Sequence, residues 1–221
     1  MSGRLDADSG VSRRFRGEAS RWDQIYSEGG GPFARVWDRL TRQNVRRRFL
    51  RTFEVAGDLA GKSLLDLGCG SGRYLIEAAH RGAVRVVGLD FSPEMIGIAG
   101  RLLAASGLSS TIALRCEGIE TASFEQPFDV VIANGVFDYL GETGREFNRA
   151  AHWTKGTLVA SFPDRAAPRA IPRSLYWRMR GIRIRLFDER SIRQLAEGAG
   201  VRAYEIEKIG PIFLLVARTG R

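Results

Sequence analysis

Apolar positions change their period partway along the chain. From Trp22 to Phe53 they recur at helical spacing, with Val36, Trp37, Leu40, Val45, Phe49 and Phe53 one or two turns apart. Gly29, Gly30, Gly31 and Pro32 interrupt that stretch. The interruption predicts a short first helix, a flexible joint and a longer second helix. Beyond Lys62, short apolar runs alternate with helical stretches. Strands are predicted at 63–67, 84–89, 111–115, 128–133 and 157–162, with helices over 73–80, 93–106 and 142–152. Pro93 suits the first turn of its helix. The run from Phe128 to Ala133 is nearly all apolar, as expected of a strand buried on both faces of a parallel sheet.

Residues 164–186 break this rhythm with prolines, arginines and aromatics. A helix over 188–199 and two strands near 201–207 and 212–217 follow, joined by a turn at Gly210 and Pro211 that implies an antiparallel ending. The whole predicts an α/β fold, a doubly wound and mostly parallel sheet with helices on both faces. Residues 1–19 are polar and glycine-dotted, so a disordered tail is expected ahead of one domain over 20–221.

Composition narrows the function classes. With 221 residues and 44% hydrophobic content, the chain supports the core of one such domain. It has no apolar run of ~20 residues. Its first residues lack the apolar centre of a secretory signal, so a cytoplasmic protein without a membrane span is expected. Cys69 and Cys116 make no disulfide framework. With only His80 and His152 beside them, no metal site is expected. The net charge of +9 comes almost wholly from arginine, the only lysines being Lys62, Lys155 and Lys208. It favours an anionic partner, whether a phosphate, a carboxylate or a nucleic acid.

The densest chemistry lies in Asp66-Leu67-Gly68-Cys69-Gly70-Ser71-Gly72. A buried strand runs into three alternate glycines, and a helix opens at once. Glycine serves a sharp turn there and lets a ligand approach the backbone without meeting a Cβ. The dinucleotide fingerprint G-x-G-x-x-G would need glycine where Arg73 stands. A pyrophosphate would also be repelled by Asp66, whereas the ammonium of an amino acid would not. At the end of the next strand Asp90, 18 residues beyond Gly72, is placed to accept both hydroxyls of a ribose. Phe91 and Met95 suit the face of a purine.

Residues 62–140 resemble the class I S-adenosylmethionine-dependent methyltransferases, above all the small-molecule branch that holds ubiquinone- and menaquinone-pathway enzymes and magnesium-protoporphyrin O-methyltransferase. The resemblance implies a seven-stranded Rossmann-like sheet with an antiparallel last strand. It also implies S-adenosyl-L-methionine as cofactor. In that frame the loop from Asp66 to Gly72, Cys69 included, holds the methionyl part and Asp90 the ribose. Glu117, Gly118 and Ile119 fall on the adenine stretch, although many relatives carry Asp where this chain has Glu117. Asn134 would face the methionyl group.

The acceptor is less legible. Ala133-Asn134-Gly135-Val136-Phe137-Asp138-Tyr139 lacks the prolines that resemblance would require of a nucleobase amine methyltransferase. Neither cysteine stands where an RNA cytosine-C5 enzyme needs one. Asp138 and Tyr139 are the candidates to orient or deprotonate a hydroxyl or amine. Acceptor selectivity in such enzymes comes from N-terminal helices, here 20–55, and from an insertion after the fifth strand, here 164–186. Trp22 and Tyr26 are expected in a lid hinged at the glycines, Tyr26 over the cofactor and Trp22 toward the acceptor. Arg173, Tyr176, Trp177 and Arg178 are the expected acceptor contacts from the insertion. The expected reaction is methyl transfer to an oxygen or nitrogen of a small, anionic or aromatic biosynthetic acceptor. An RNA or tRNA methyltransferase using the arginine-rich surface is one alternative, and a silent S-adenosylmethionine-binding protein the other.

Overall fold

A computed structural model describes residues 32–168, 170–179 and 183–220, with side chains described from residue 43 onward except those of Arg173 and Trp177. The elements run α1 (Pro32–Ala56), β1 (Ser63–Leu67), α2 (Arg73–His80), β2 (Arg85–Asp90), α3 (Pro93–Ala105), β3 (Ile112–Cys116), β4 (Phe128–Asn134), α4 (Thr143–His152), β5 (Thr154–Pro163), α5 (Ala170–Met179), α6 (Glu189–Gly198), β6 (Ala203–Ile209) and β7 (Ile212–Arg218).

One seven-stranded sheet carries the order β3-β2-β1-β4-β5-β7-β6. Strands β1 to β5 pair in parallel, and β7 runs antiparallel to both of its neighbours. The expected sheet and its reversed last strand are therefore present. Because side chains alternate along a strand, Leu64 and Leu65 join opposite cores, as do Val130 and Val131. Phe53, Leu75 and Leu103 bring α1, α2 and α3 onto one face. Phe147 and Ile192 bring α4 and α6 onto the other.

Chain order reverses between β1 and β4, where the first crossovers leave in opposite directions. In open α/β sheets that reversal opens a crevice at the carboxyl ends of the strands. Asp66, Asp90, Asn134 and Ser161 all stand at or near those ends. At the opposite end Asp129 ties the strands together. It accepts from the Ser63 amide at 2.9 Å and from Ser63 Oγ at 2.6 Å, and Lys155 Nζ lies 3.1 Å away.

Local differences from the sequence reading have local causes. The third strand is shifted by one residue to Ile112–Cys116, so that Cys116 pairs with Asp90 and delivers Glu117 to the crevice. The fourth helix starts at Thr143, after Glu142. The irregular stretch after β5 contains α5, with Pro172 tolerated in its first turn because the amide it lacks would have no partner in the helix.

Candidate functional site

The glycine loop takes its shape from backbone conformations that side chains disfavour. Gly68, Gly70 and Gly72 have φ of 66°, 52° and 82°. The amides of Gly68 and Cys69 both donate to Leu89 O, at 2.7 and 3.0 Å, which holds the turn against β2. A Cβ on Gly68 would lie 2.5 Å from Val136 Cγ2, whereas one on Gly70 would meet no atom within 4 Å. Gly68 is thus needed for packing, and Gly70 borders open space.

Two buried carboxylates flank that space. Asp66 closes on the end of β1 with 2% of its surface exposed, and its Oδ2 has no hydrogen-bond partner. Burial, then the charge of Asp90, pushes its carboxyl well above the ordinary range, while the Arg48 guanidinium pulls the other way. An orphaned buried carboxylate is costly unless something completes it. Asp90 is differently provided: Oδ1 accepts from the Ser92 amide and Oδ2 from the Gly70 amide, each at 2.9 Å. Burial raises its pKa and those two bonds lower it, with burial prevailing. Each Asp90 oxygen keeps a further acceptor direction. A ligand with an amine for Asp66, a vicinal diol for Asp90 and no side-chain obstacle over Gly70 fits this donor set.

The remaining expected cofactor contacts lie around the same crevice. The Glu117 amide donates to Asp90 O at 3.1 Å, and the Glu117 carboxylate pairs with Arg115. That pairing occupies one Glu117 oxygen. Ile119 is buried, and Gly118 packs against Glu120, whose Oε2 leaves no room for an added Cβ. Phe91 is exposed at the rim, while Met95 is buried in the first turn of α3. Cys69 is buried as well, and burial first, then the charges of Asp66 and Asp90, raises its thiol pKa.

At the end of β4, Asn134 Nδ2 donates to Thr52 Oγ1 at 3.0 Å, and Asn134 Oδ1 is buried with no hydrogen-bond partner. Thr52 in turn donates to Arg48 O at 2.7 Å. Ser161 Oγ accepts from the Gly135 amide at 2.9 Å and from Arg48 Nη1 at 3.4 Å. Arg48, Thr52 and Ser161 therefore belong to the crevice, although no motif marks them. Arg48 stands in the run Arg46-Arg47-Arg48, and only the docking of α1 on the sheet singles it out.

Asp138 and Tyr139 occupy the loop after β4. Asp138 is buried and Tyr139 is partly buried. Asp138 does not cap the next helix, which starts at Thr143 with Glu142 before it. The Asp138 carbonyl accepts from the Arg185 amide at 2.8 Å, and Arg185 Nη1 reaches Thr143 Oγ1 at 3.1 Å. The return limb of the 164–186 segment is thereby fastened to this loop. Tyr176 and Arg178 are exposed on α5, with Arg173 and Trp177 on the same helix. Trp22 and Tyr26 lie outside the described residues. Among the described residues no group of His, Cys, Asp and Glu could hold a metal ion, and no helix is long and apolar enough to cross a membrane.

A family model described as a methyltransferase domain matches residues 37–206. The chain is similar to a ubiquinone biosynthesis O-methyltransferase of Nitrobacter winogradskyi, 33% identical over 121 residues that cover 54% of this chain and 45% of the relative. It is also similar to a ribosomal protein L11 methyltransferase of Aeromonas salmonicida, 36% identical over 103 residues that cover 47% and 34%. The chain thus matches about half or less of the length of these relatives. Among solved structures, magnesium protoporphyrin IX methyltransferase of Synechocystis with bound SAH superimposes with a TM-score of 0.75 at 22% identity, covering 96% of this chain and 99% of that one. At that identity the likeness concerns the fold.

Proposed function

The chain belongs to the methyltransferase domain family, which uses S-adenosylmethionine, and from that premise we propose that it transfers the methyl group to an oxygen or nitrogen of a small, anionic or aromatic biosynthetic acceptor. One observation carries the cofactor reading: the Asp66 carboxylate is buried at the end of β1 with Oδ2 unpartnered, beside a loop whose Gly70 borders open space. A cationic amine resolves both the missing hydrogen bond and the buried charge.

In this reading Asp66 receives the amine of the methionyl part, Asp90 receives the ribose hydroxyls, and Asn134 Oδ1 accepts a further donor from the ligand. Phe91, Met95, Glu117, Gly118 and Ile119 border the adenine. The bound cofactor supplies a methyl group on a sulfonium, with its leaving group already attached. What the protein must then do is align the acceptor and exclude water. Asp138 and Tyr139, in the loop held by Arg185, orient the acceptor or take its proton. Trp22, Arg173, Tyr176, Trp177 and Arg178 are proposed to select it, and Tyr26 to cover the cofactor.

Titration calorimetry with S-adenosylmethionine, its demethylated product and NAD tests the cofactor reading. Binding of the first two is expected; no binding at ~1 mM, or tighter NAD binding, overturns it. Labelled donor offered with small acids, phenols and RNA tests the acceptor class. Label transfer to RNA alone would replace the small-molecule reading. Cofactor binding without transfer to any acceptor class would favour a silent binding protein.

A further inference from the structure

Helix α5 turns an aliphatic face outward. Of its described side chains, Ala170 is buried and Ser174 is half-buried. Ile171, Leu175 and Met179 are 77%, 58% and 81% exposed. Their spacing of four residues sets them in one stripe along the helix. Tyr176, 45% exposed, extends the face. Of the seven large hydrophobics exposed among the described residues, four are on this ten-residue helix. Scattered exposed apolar residues need no explanation, but a contiguous apolar face does.

The charge around the stripe says what it fits. Residues 164–186 carry Arg165, Arg169, Arg173, Arg178, Arg180, Arg183 and Arg185 against a single acid, Asp164. Arg178 and Arg183 are exposed. Residues 1–31 carry five arginines and five acidic residues, so they offer no opposite net charge to this segment. A nucleic-acid backbone would match the arginines but not a stripe of isoleucine, leucine and methionine. The geometry points to an anionic lipid surface as the occupant, with α5 lying in the plane of the membrane interface. Apolar side chains would enter the acyl boundary while arginines meet lipid phosphates. Ten residues give a helix of about 15 Å, half of what a span of the ~30 Å hydrocarbon core requires, so the helix docks and does not cross. The methyl-transfer reading is not needed for this inference. Combined with that reading, docking would bring the crevice to an acceptor dissolved in the bilayer.

The test uses the full chain with vesicles of phosphatidylcholine alone or with about 30% phosphatidylglycerol. Co-sedimentation is expected with the anionic vesicles and not with the neutral ones, weakening between ~50 and ~200 mM salt. A triple variant, Ile171→Ser, Leu175→Ser and Met179→Ser, should bind at least tenfold more weakly while its circular dichroism spectrum is unchanged. Peroxide oxidation of Met179, followed by mass spectrometry against buried Met95, reads the same face without mutation. Met179 should oxidise much faster than Met95 in lipid-free monomer and be protected by anionic vesicles. Absence of binding to anionic vesicles overturns the proposal. Undiminished binding by the triple variant overturns it too, since charge alone would then suffice. Slow oxidation of Met179 in lipid-free monomer would mean that the chain covers its own stripe. A lipid-free dimer abolished by the triple variant would make a second copy the occupant. Either result removes the membrane from the account.

Discussion

The Gly70 amide donates to Asp90 Oδ2 at 2.9 Å, joining the glycine loop to the end of the neighbouring strand across 20 residues of sequence. Asp90 therefore has two tasks in the proposed site. It shapes the loop through Gly70, and its remaining acceptor directions face the ligand. The same carboxylate holds the Ser92 amide, and Ser92 Oγ then caps α3 by accepting from the Met95 amide at 3.2 Å.

Asp90→Ala is expected to lower S-adenosylmethionine affinity at least tenfold, because charge-assisted hydrogen bonds worth about 1.5–3 kcal/mol each are removed. Asp90→Asn should fall short of wild type as well. Its amide NH2 must turn toward either Gly70 or Ser92, setting donor against donor. Calorimetry on both folded variants checks this. Unchanged affinity in either would remove Asp90 from the site.

The raised pKa of Asp66 makes cofactor affinity pH-dependent. Burial, then the charge of Asp90, favours the protonated form in the free protein. Binding a cationic amine requires the carboxylate, so binding should release protons and strengthen as pH rises toward the elevated pKa. Because that pKa lies above the ordinary 3.8, Asp66 makes the ligand-free fold less stable as pH rises through this window. Asp66→Asn should consequently raise the ligand-free melting temperature near neutral pH while weakening the cofactor. Calorimetry in buffers of different ionisation enthalpy counts the protons, and a pH-independent affinity would contradict the assignment.

Gly68 and Gly70 should respond differently to a methyl group. Gly68→Ala combines a positive φ with a 2.5 Å approach to Val136 Cγ2, and should destabilise by more than 2 kcal/mol. Gly70→Ala meets only the cost of its left-handed backbone, about 1–2 kcal/mol, and should fold. Its loss should appear in cofactor affinity, and Gly70→Val should abolish binding. Urea unfolding alongside calorimetry separates the two effects.

Asp129 predicts an acid limb at the other end of the sheet. Burial works against its charge, but the two Ser63 bonds and Lys155 hold its pKa at about 2, below the ordinary 3.8. The stability this gives is complete above 3.8 and disappears as pH falls through about 2. Because the side chain is 32% exposed, about 1–2 kcal/mol is expected at pH 7. Asp129→Asn should lower the urea midpoint at pH 7, and the gap to wild type should close in acid.

The parallel sheet, its reversed last strand and the glycine loop were legible in the chain because each depends on local chemistry. Five apolar runs with intervening helices imply a parallel sheet, and alternate glycines imply left-handed turns, which Gly68, Gly70 and Gly72 adopt. Asp66 and Asp90 were legible for the same reason, as carboxylates at the ends of apolar runs. What sequence left invisible depends on distance through space. Arg48 and Thr52 belong to a helix that ends ten residues ahead of Asp66, and only the burial of Phe53 in one core with Leu64 and Leu75 swings that helix face over Asp66, Asn134 and Ser161. The outward stripe of α5 is of the same kind. Arginines and aromatics near 164–186 suggested a pocket, yet whether Ile171, Leu175 and Met179 face protein or solvent depends on where Ala170 and Ser174 dock. Periodicity marks the sides of a helix, and tertiary packing chooses which side is buried.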